Sequence, residues 1–512
     1  MRGMIQFLCA VTGAKEEELR QVLYSFSALF FLLLSYYVIK PLRNSQFLSD
    51  FNPNYLPVLM LGVPLISFVV TKIFNFFGDR MDKFKLIVRT YLLLMVMKVA
   101  FTWILQYGGK PGTVVFYLWG SVYFLLALPT LWGCINDFFL PEQGERVFGF
   151  VQLGATLGGI GGSIVSAAIS RSERLAPYAT IFSAVGMGCA LVFLILAASL
   201  RKPRPEQVVP AAAERPIGFN KVEQEKGSFW GDVIGLVRIR YVRSIAIMVA
   251  CLACFTTSLD FLSQTVIDRR LAHRQYEETF PEVAAKMGEE GYQFFYSLKS
   301  RPAADIDTAL NEFGLKNDVH QCRERYQEYK KDLKNKTNAV FSDVSMFQGF
   351  LGLFLLIVVA RLIFAHLGMK VAVSILPAFA LIAVVAFAFP LEILAVEVLL
   401  AFSGSFNYAL NNATKEILYS ATTEETKFKH KPLIEGPFMR LGDQSASIMK
   451  LITTAGAVAL GWNADTGDRI FLVFTFSLVL IWWQAIVYAG REYDRNRAAE
   501  RMADSGLIPS RD

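Results

Sequence analysis

The feature that most restricts this 512-residue chain is the recurrence of apolar stretches about as long as a membrane is thick. Hydrocarbon offers a backbone no hydrogen bonds, so a segment crossing it folds as a helix of about 20 apolar residues. Twelve windows qualify: 22–39, 55–77, 86–106, 113–136, 148–170, 178–200, 244–267, 345–365, 371–389, 391–412, 444–462 and 470–490. A polar linker, 201–243, carrying Pro203, Pro205, Pro210 and Pro216, divides them into two sets of six. The expected fold is an all-α membrane protein with twelve transmembrane helices in two six-helix bundles related by pseudo-twofold symmetry. Its parts are an N-terminal segment 1–21, a bundle 22–200, the linker, a bundle 244–490 and a tail 491–512. Residues 1–21 are not expected to be a cleaved signal peptide: the apolar run from Met4 to Val11 is short, and Glu16, Glu17 and Glu18 follow it.

Composition closes off the other classes. Hydrophobic residues make up 54% of the chain and charged residues 19%, the latter below the roughly 25% of soluble proteins. A disordered chain and a string of soluble domains are both disfavoured. The six cysteines are scattered, Cys251 and Cys254 have no second pair, and the four histidines are far apart. No metal and no cofactor are therefore expected. A phosphate-binding G-x-x-x-x-G-K-[ST] loop does not occur, so the chain is expected neither to be an enzyme nor to drive itself by ATP hydrolysis.

Sidedness follows from lysine and arginine. With both termini on the same side, the segments on that side carry 29 of them and the opposite short loops carry 6. Short cytoplasmic loops are enriched in these residues, so the termini are expected in the cytoplasm of a bacterial inner membrane. The net charge of +7 is then mostly topology and calls for no nucleic-acid partner. Residues 268–340 form a polar insertion on the opposite side, its 13 basic residues balanced by 13 acidic ones. A substrate cap, a partner-docking domain and a neutral insertion all fit it.

Charges within hydrocarbon are costly and mark functional candidates. The first cluster, at the end of the first window, joins Tyr36, Tyr37, Lys40 and Arg43 around Pro41. Two cations three residues apart share a helical face. Arginine forks onto phosphate oxygens, lysine acts as a point charge, and tyrosines stack on a base. Interfacial anchoring by the same side chains fits equally. The second cluster closes the fourth window with Asn136 and Asp137, followed by Arg146. Its counterpart closes the tenth with Asn407, Asn411 and Lys415, followed by Lys427 and Lys429. The recurrence reads as an internal duplication. Lys98, Lys450, Asp260 and Glu397 are isolated charges inside windows, as gating or coupling groups or as structural ion pairs. Gly154, Gly158 and Gly162 give two overlapping G-x-x-x-G spacings, read as close helix packing on which the two halves could rock.

The chain resembles the ATP/ADP translocase family, nucleotide transporters of intracellular bacteria and plastids, with its major-facilitator-like bacterial relatives. The resemblance is carried by Tyr37 to Arg43, Trp119 to Val122, Trp132 to Asp137 with Arg146 to Gly149, Asn407 to Tyr419, and Lys427 to Lys431. It implies a major-facilitator-like bundle that exchanges ATP and ADP across the bilayer without hydrolysing them. In the family's exchangers the first-span pair is Arg then Lys, here reversed as Lys40 and Arg43. An acidic residue stands there where this chain has Tyr117. Asp260 matches the acid late in span seven, and the lysine after it falls near Gln264. The expectation is thus a monomeric nucleotide antiporter. Lys40, Arg43 and Lys415 would bind phosphate, and Lys427 and Lys429 would assist. Asn136, Asn407 and Asn411 would contact base or sugar, with Asp260, Glu397, Lys98, Lys450, Asp137 and Arg146 in gating or coupling. A proton-coupled carrier of another organic anion, and a non-transporting protein whose insertion binds a partner, are the alternatives.

Overall fold

The computed structural model describes residues 2–78, 80–200, 236–301, 305–312, 319–359, 363, 368–420, 422 and 430–504. The first half begins with a short amphipathic helix, α1 (Arg2–Thr12), and continues with α2 (Leu19–Asp50), α3 (Leu56–Gly78), α4 (Lys83–Tyr107), α5 (Gly109–Phe138), α6 (Pro141–Ser170) and α7 (Ala179–Ser199). Residues 201–235 of the expected linker lie outside the described residues. The second half opens with α8 (Arg240–Thr279), followed in the insertion by α9 (Pro281–Ser297) and α10 (Ile306–Glu312). Next come α11 (Val319–Phe354), α12 (Gly368–Ala386) and α13 (Ile393–Phe406), which passes through a widened π turn, Asn407–Asn411, into α14 (Asn412–Ser420). A second π turn, Ile434–Phe438, leads into α15 (Met439–Ala459), and α16 (Ala464–Asp504) ends the described chain.

As far as its residues are described, each of the twelve windows falls on a helix. Ten of these are long and apolar enough to cross a membrane; α12 is shorter, and α15 carries too many polar residues to meet the same measure. Large apolar side chains such as Leu65, Phe68, Val96, Ile382, Leu394 and Val473 point outward and stay exposed. In water such a surface would aggregate; in a bilayer it is the lipid-facing wall. Two turns show how local sequence sets the path. Gly109, at φ +52, supplies the left-handed residue that reverses the chain between α4 and α5. At Asp82 the side chain accepts the Lys85 backbone N–H and caps α4.

Each half has its own core. Leu29, Leu32, Tyr91, Phe116, Leu131 and Val151 belong to the first, and Ile245, Phe255, Leu376, Val479 and Trp482 to the second. The halves meet where α11 packs on α2 and on α6 and where α15 packs on α3; two of these contacts join the fifth span to the eighth and the second to the eleventh. Exchanging the halves adds or subtracts six from each span number and maps one contact onto the other, which is the signature of a twofold relation. The glycines of α6 act within the first half, and here the sequence expectation is corrected. A Cβ at Gly154, Gly158 or Gly162 would lie 2.5, 2.1 or 2.5 Å from the carbonyl oxygens of Phe26, Phe30 and Leu34. These spacings seat α6 on α2 and are not a surface on which the halves rock.

Helices of the insertion fold back onto the bundle. Tyr276, Phe280, Phe295, Leu310, Tyr326 and Tyr329 share one apolar cluster with Phe47, Leu48 and Tyr117 of the first half and Phe261 and Phe471 of the second. A fully buried ion pair, Lys299 to Asp268 at 2.7 Å, fastens α9 and the turn after it to α8. The insertion is thus part of the core that joins the two halves.

Candidate functional site

The site is built where α2, α8, α11 and the α13 helix converge. Helix α2 does not stop where its hydrophobicity does: it runs unbroken through Lys40, Pro41 and Arg43 to Asp50. The sequence places this pair at the end of the first span; in the structure both residues lie well inside the helix, Arg43 about two turns from its last residue. Pro41 has no N–H for the carbonyl of Tyr37, so one rung of the helix is missing beside the cations.

Lys40 and Arg43 line a cavity of about 220 Å³ together with Asp260 and Gln264 of α8, Gln348 of α11, and Asn407 at the start of the first π turn. The guanidinium of Arg43 donates from Nη1 to Ser121 Oγ at 3.0 Å, and from Nε and Nη2 to Asn44 Oδ1 at 3.3 Å. It also lies 4.7 Å from the centroid of the Tyr117 ring. Gly120 leaves room for it, because a Cβ there would sit 3.0 Å from Arg43 Cδ. Lys40 Nζ stands 5.3 Å from the centroid of Tyr37. Among the described residues neither cation has a carboxylate within the 4.0 Å of an ion pair. Asp260 is deep in the molecule yet exposed to the cavity, and it too makes no ion pair among the described residues. Two cations and one carboxylate in a low-dielectric chamber leave an attraction for an anion. The π turn fixes Asn407, whose Oδ1 accepts from Asn411 Nδ2 at 3.1 Å; Asn411 is buried behind it.

The remaining sequence candidates lie apart from this cavity. Tyr37 lines a second, adjoining chamber, while Tyr36 stacks on Phe124 with ring centroids 4.1 Å apart. Asn136 and Asp137 are exposed at the end of α5 on the face that carries the termini. Near them Arg146 pairs with Glu18 at 3.2 Å and donates to the Gly13 carbonyl at 2.8 Å. On the same face Lys415 pairs with Glu435 at 3.0 Å. Lys427 and Lys429 lie outside the described residues. Glu397 is partly buried on α13, in the field of Arg171 and Asp343. Lys450 is buried and pairs with Asp468, which Arg269 also contacts at 3.2 Å. Lys98 is fully buried and has no carboxylate partner among the described residues: it donates to Ser35 Oγ at 2.5 Å and Ser183 Oγ at 2.9 Å, with the Tyr123 centroid 4.0 Å away.

Gln348, Ser345 and Thr256 of the cavity wall escaped the sequence reading. They are neutral, and a search for intramembrane charges passes over them. The usable signal was a glutamine and serines within an apolar window.

The insertion face is shut across the halves. Asp50 pairs with Lys330 at 2.6 Å and also accepts from Thr113 Oγ1 at 2.5 Å and Gln46 Nε2 at 3.0 Å. Lys110 donates to the Arg301 carbonyl at 2.7 Å, and Arg171 pairs with Asp343 at 2.6 Å. Of the described ion pairs, those joining the two halves all lie toward this face.

Solved structures of known proteins share this architecture. The nucleoside transporter NupG matches with a TM-score of 0.51 at 12% identity, over 92% of this chain and 99% of that one. A bacterial homolog of the human lysosomal transporter Spinster, inward-facing and unoccupied, gives 0.53 at 10%, over 94% and 99%. The POT family transporter PepTSo gives 0.51 at 13%, over 94% and 98%. The fold is major-facilitator-like. At these identities the likeness establishes the fold alone. No family model and no curated protein matches the chain.

Proposed function

We propose that the chain is a multi-pass membrane transporter that carries an anionic nucleotide by alternating access, with ATP/ADP exchange as its reaction. The observation that carries this reading is the pair Lys40 and Arg43, reaching a cavity between the halves without an ion-pair partner among the described residues. A phosphate there would meet the forked guanidinium and the ammonium point charge. The family resemblance supports the same substrate class, and the shared fold is one that alternating access can use. Lys415, Lys427 and Lys429 would receive the anion at the face bearing the termini, which we assign to the cytoplasm of a bacterial inner membrane from the lysine and arginine bias. Counter-exchange in liposomes tests the reading: uptake of labelled ATP should require internal ADP or ATP. No uptake of any nucleotide under any loading would end it.

Asp260 favours a second reading, a proton-coupled carrier of another organic anion, because its carboxyl faces the same cavity as the cations. Uptake would then follow an imposed pH gradient and ignore internal nucleotide.

A further inference from the structure

Beside the cationic cavity lies a chamber of different character, about 260 Å³ in volume. Its walls are aromatic: Tyr37 of α2, Phe124 and Trp132 of α5, and Tyr408 in the π turn after α13. Two glutamines, Gln152 of α6 and Gln348 of α11, also line it, and among the described residues neither side-chain amide makes a hydrogen bond. Ser345 and Gln348 line both chambers, so the two adjoin at a polar waist.

We infer that the aromatic chamber is the subsite for the nucleobase, and that Gln348 at the waist reads its edge while Lys40 and Arg43 hold the phosphates. This rests on the nucleotide reading above and adds the residues that recognise the base. Phosphate needs charge and forked donors; a base needs flat apolar faces and a few amides that match its donor and acceptor edge. The two chambers divide these requirements between them. The amide of Gln348 occupies the space beside Gly404, where an added Cβ would be 2.3 Å from Gln348 Cδ. Gly404 therefore sets the position of the reading group. Tyr408 is fixed by a hydrogen bond at 2.9 Å between its hydroxyl and Thr156 Oγ1 across the two halves. Gly159 leaves space for the Tyr37 ring, since a Cβ there would lie 3.1 Å from its Cε2. A base stacked here would touch both halves, which ties its occupancy to the movement that opens and closes the space.

The test uses the full chain in liposomes and two probes that share phosphates but not a base: ATP and inorganic tripolyphosphate. Trp132→Leu and Tyr408→Leu, by loss of stacking, and Gln348→Ala, by loss of an edge contact, should each raise the KM for ATP about tenfold. Trp132→Leu and Tyr408→Leu, which lie outside the cationic cavity, should leave inhibition by tripolyphosphate within about twofold of the native protein. Gly404→Ala, which displaces the amide without removing it, should change the ranking of competing bases. Because Trp132→Leu risks misfolding, photolabelling of the native protein with an azido-adenine nucleotide gives a second measurement, expected on peptides containing Trp132, Gln348 or Tyr408. Equal weakening of ATP and tripolyphosphate, or labelling confined to other segments, overturns the subsite while leaving nucleotide transport standing. Absence of nucleotide transport in the native protein defeats the parent reading and this subsite with it.

Discussion

The two faces of the bundle use charge in opposite ways. At the insertion face, ion pairs cross between the halves: Asp50 with Lys330, and Arg171 with Asp343. At the face bearing the termini, the described pairs stay within one half: Arg146 with Glu18, Lys415 with Glu435, Lys431 with Glu416. A pair within a half moves with that half and costs nothing when the halves separate. A pair between halves must break. The difference reads as a bundle held closed at the insertion face and free to part at the other, with Lys40 and Arg43 between them and without an ion-pair partner among the described residues.

The largest expected effect comes from removing what stands between the faces. Arg43→Ala deletes a guanidinium able to make at least two charge-assisted bonds, each worth about 1.5–3 kcal/mol. Its kcat/KM for nucleotide uptake should fall by about a hundredfold or more, and that of Lys40→Ala by about tenfold. Native kinetics in both variants would remove the centre from the comparison.

A smaller effect tests whether each half is a rigid unit. At Gly158 an added Cβ would meet the Phe30 carbonyl oxygen at 2.1 Å, whereas at Gly161 the nearest atom is the Phe30 ring at 3.6 Å. Gly158→Ala should destabilise the protein by about 1–3 kcal/mol, the usual cost of overpacking. Gly161→Ala should be close to neutral. Thermal unfolding in detergent measures both, and equal melting would deny the α2–α6 seam.

Breaking the crossing pair should act on conformation more than on stability. Asp50→Asn or Lys330→Gln should raise modification, from the insertion side, of a cysteine placed in the cavity by about fivefold. The exchange Asp50→Lys with Lys330→Asp should restore part of the protection. If neither single variant changes labelling, the insertion face is closed by its apolar cluster alone.

The smallest effect belongs to the termini face. Burial pushes the Glu18 carboxyl up, and the Lys15 backbone N–H, Gln143 and Arg146 outweigh it, holding it below the ordinary carboxylate range. A carboxylate depressed by folding stabilises above its unfolded value, about 4.3 for glutamate. That contribution is lost as pH falls through the lower folded value. Glu18→Gln should therefore flatten the acid limb of a melting-temperature profile slightly and leave neutral pH nearly unchanged.

The spans were legible because hydrocarbon imposes one rule on every residue of a crossing segment. The charge clusters were legible only as positions. Lys40 and Arg43 end the apolar window, so hydropathy set them at a boundary, although the helix continues for two more turns. Pairing was not legible at all. Asp50 and Lys330 are 280 residues apart, and nothing in either neighbourhood names the other. Nor was the insertion: its balanced charge hid the tyrosines and phenylalanines that fasten it to both halves. Asp260 and Asn407 were found because an ionisable group in a span, and a repeated polar helix end, are each conspicuous. Gln348 is neither.

One measurement bears most directly on the account: counter-exchange of labelled ATP in liposomes loaded with ADP, comparing the native chain with the double variant Lys40→Gln, Arg43→Gln. The account predicts uptake by the native protein that depends on internal nucleotide, and none by the variant when detergent melting shows it folded. Uptake by the folded variant at the native rate would contradict it.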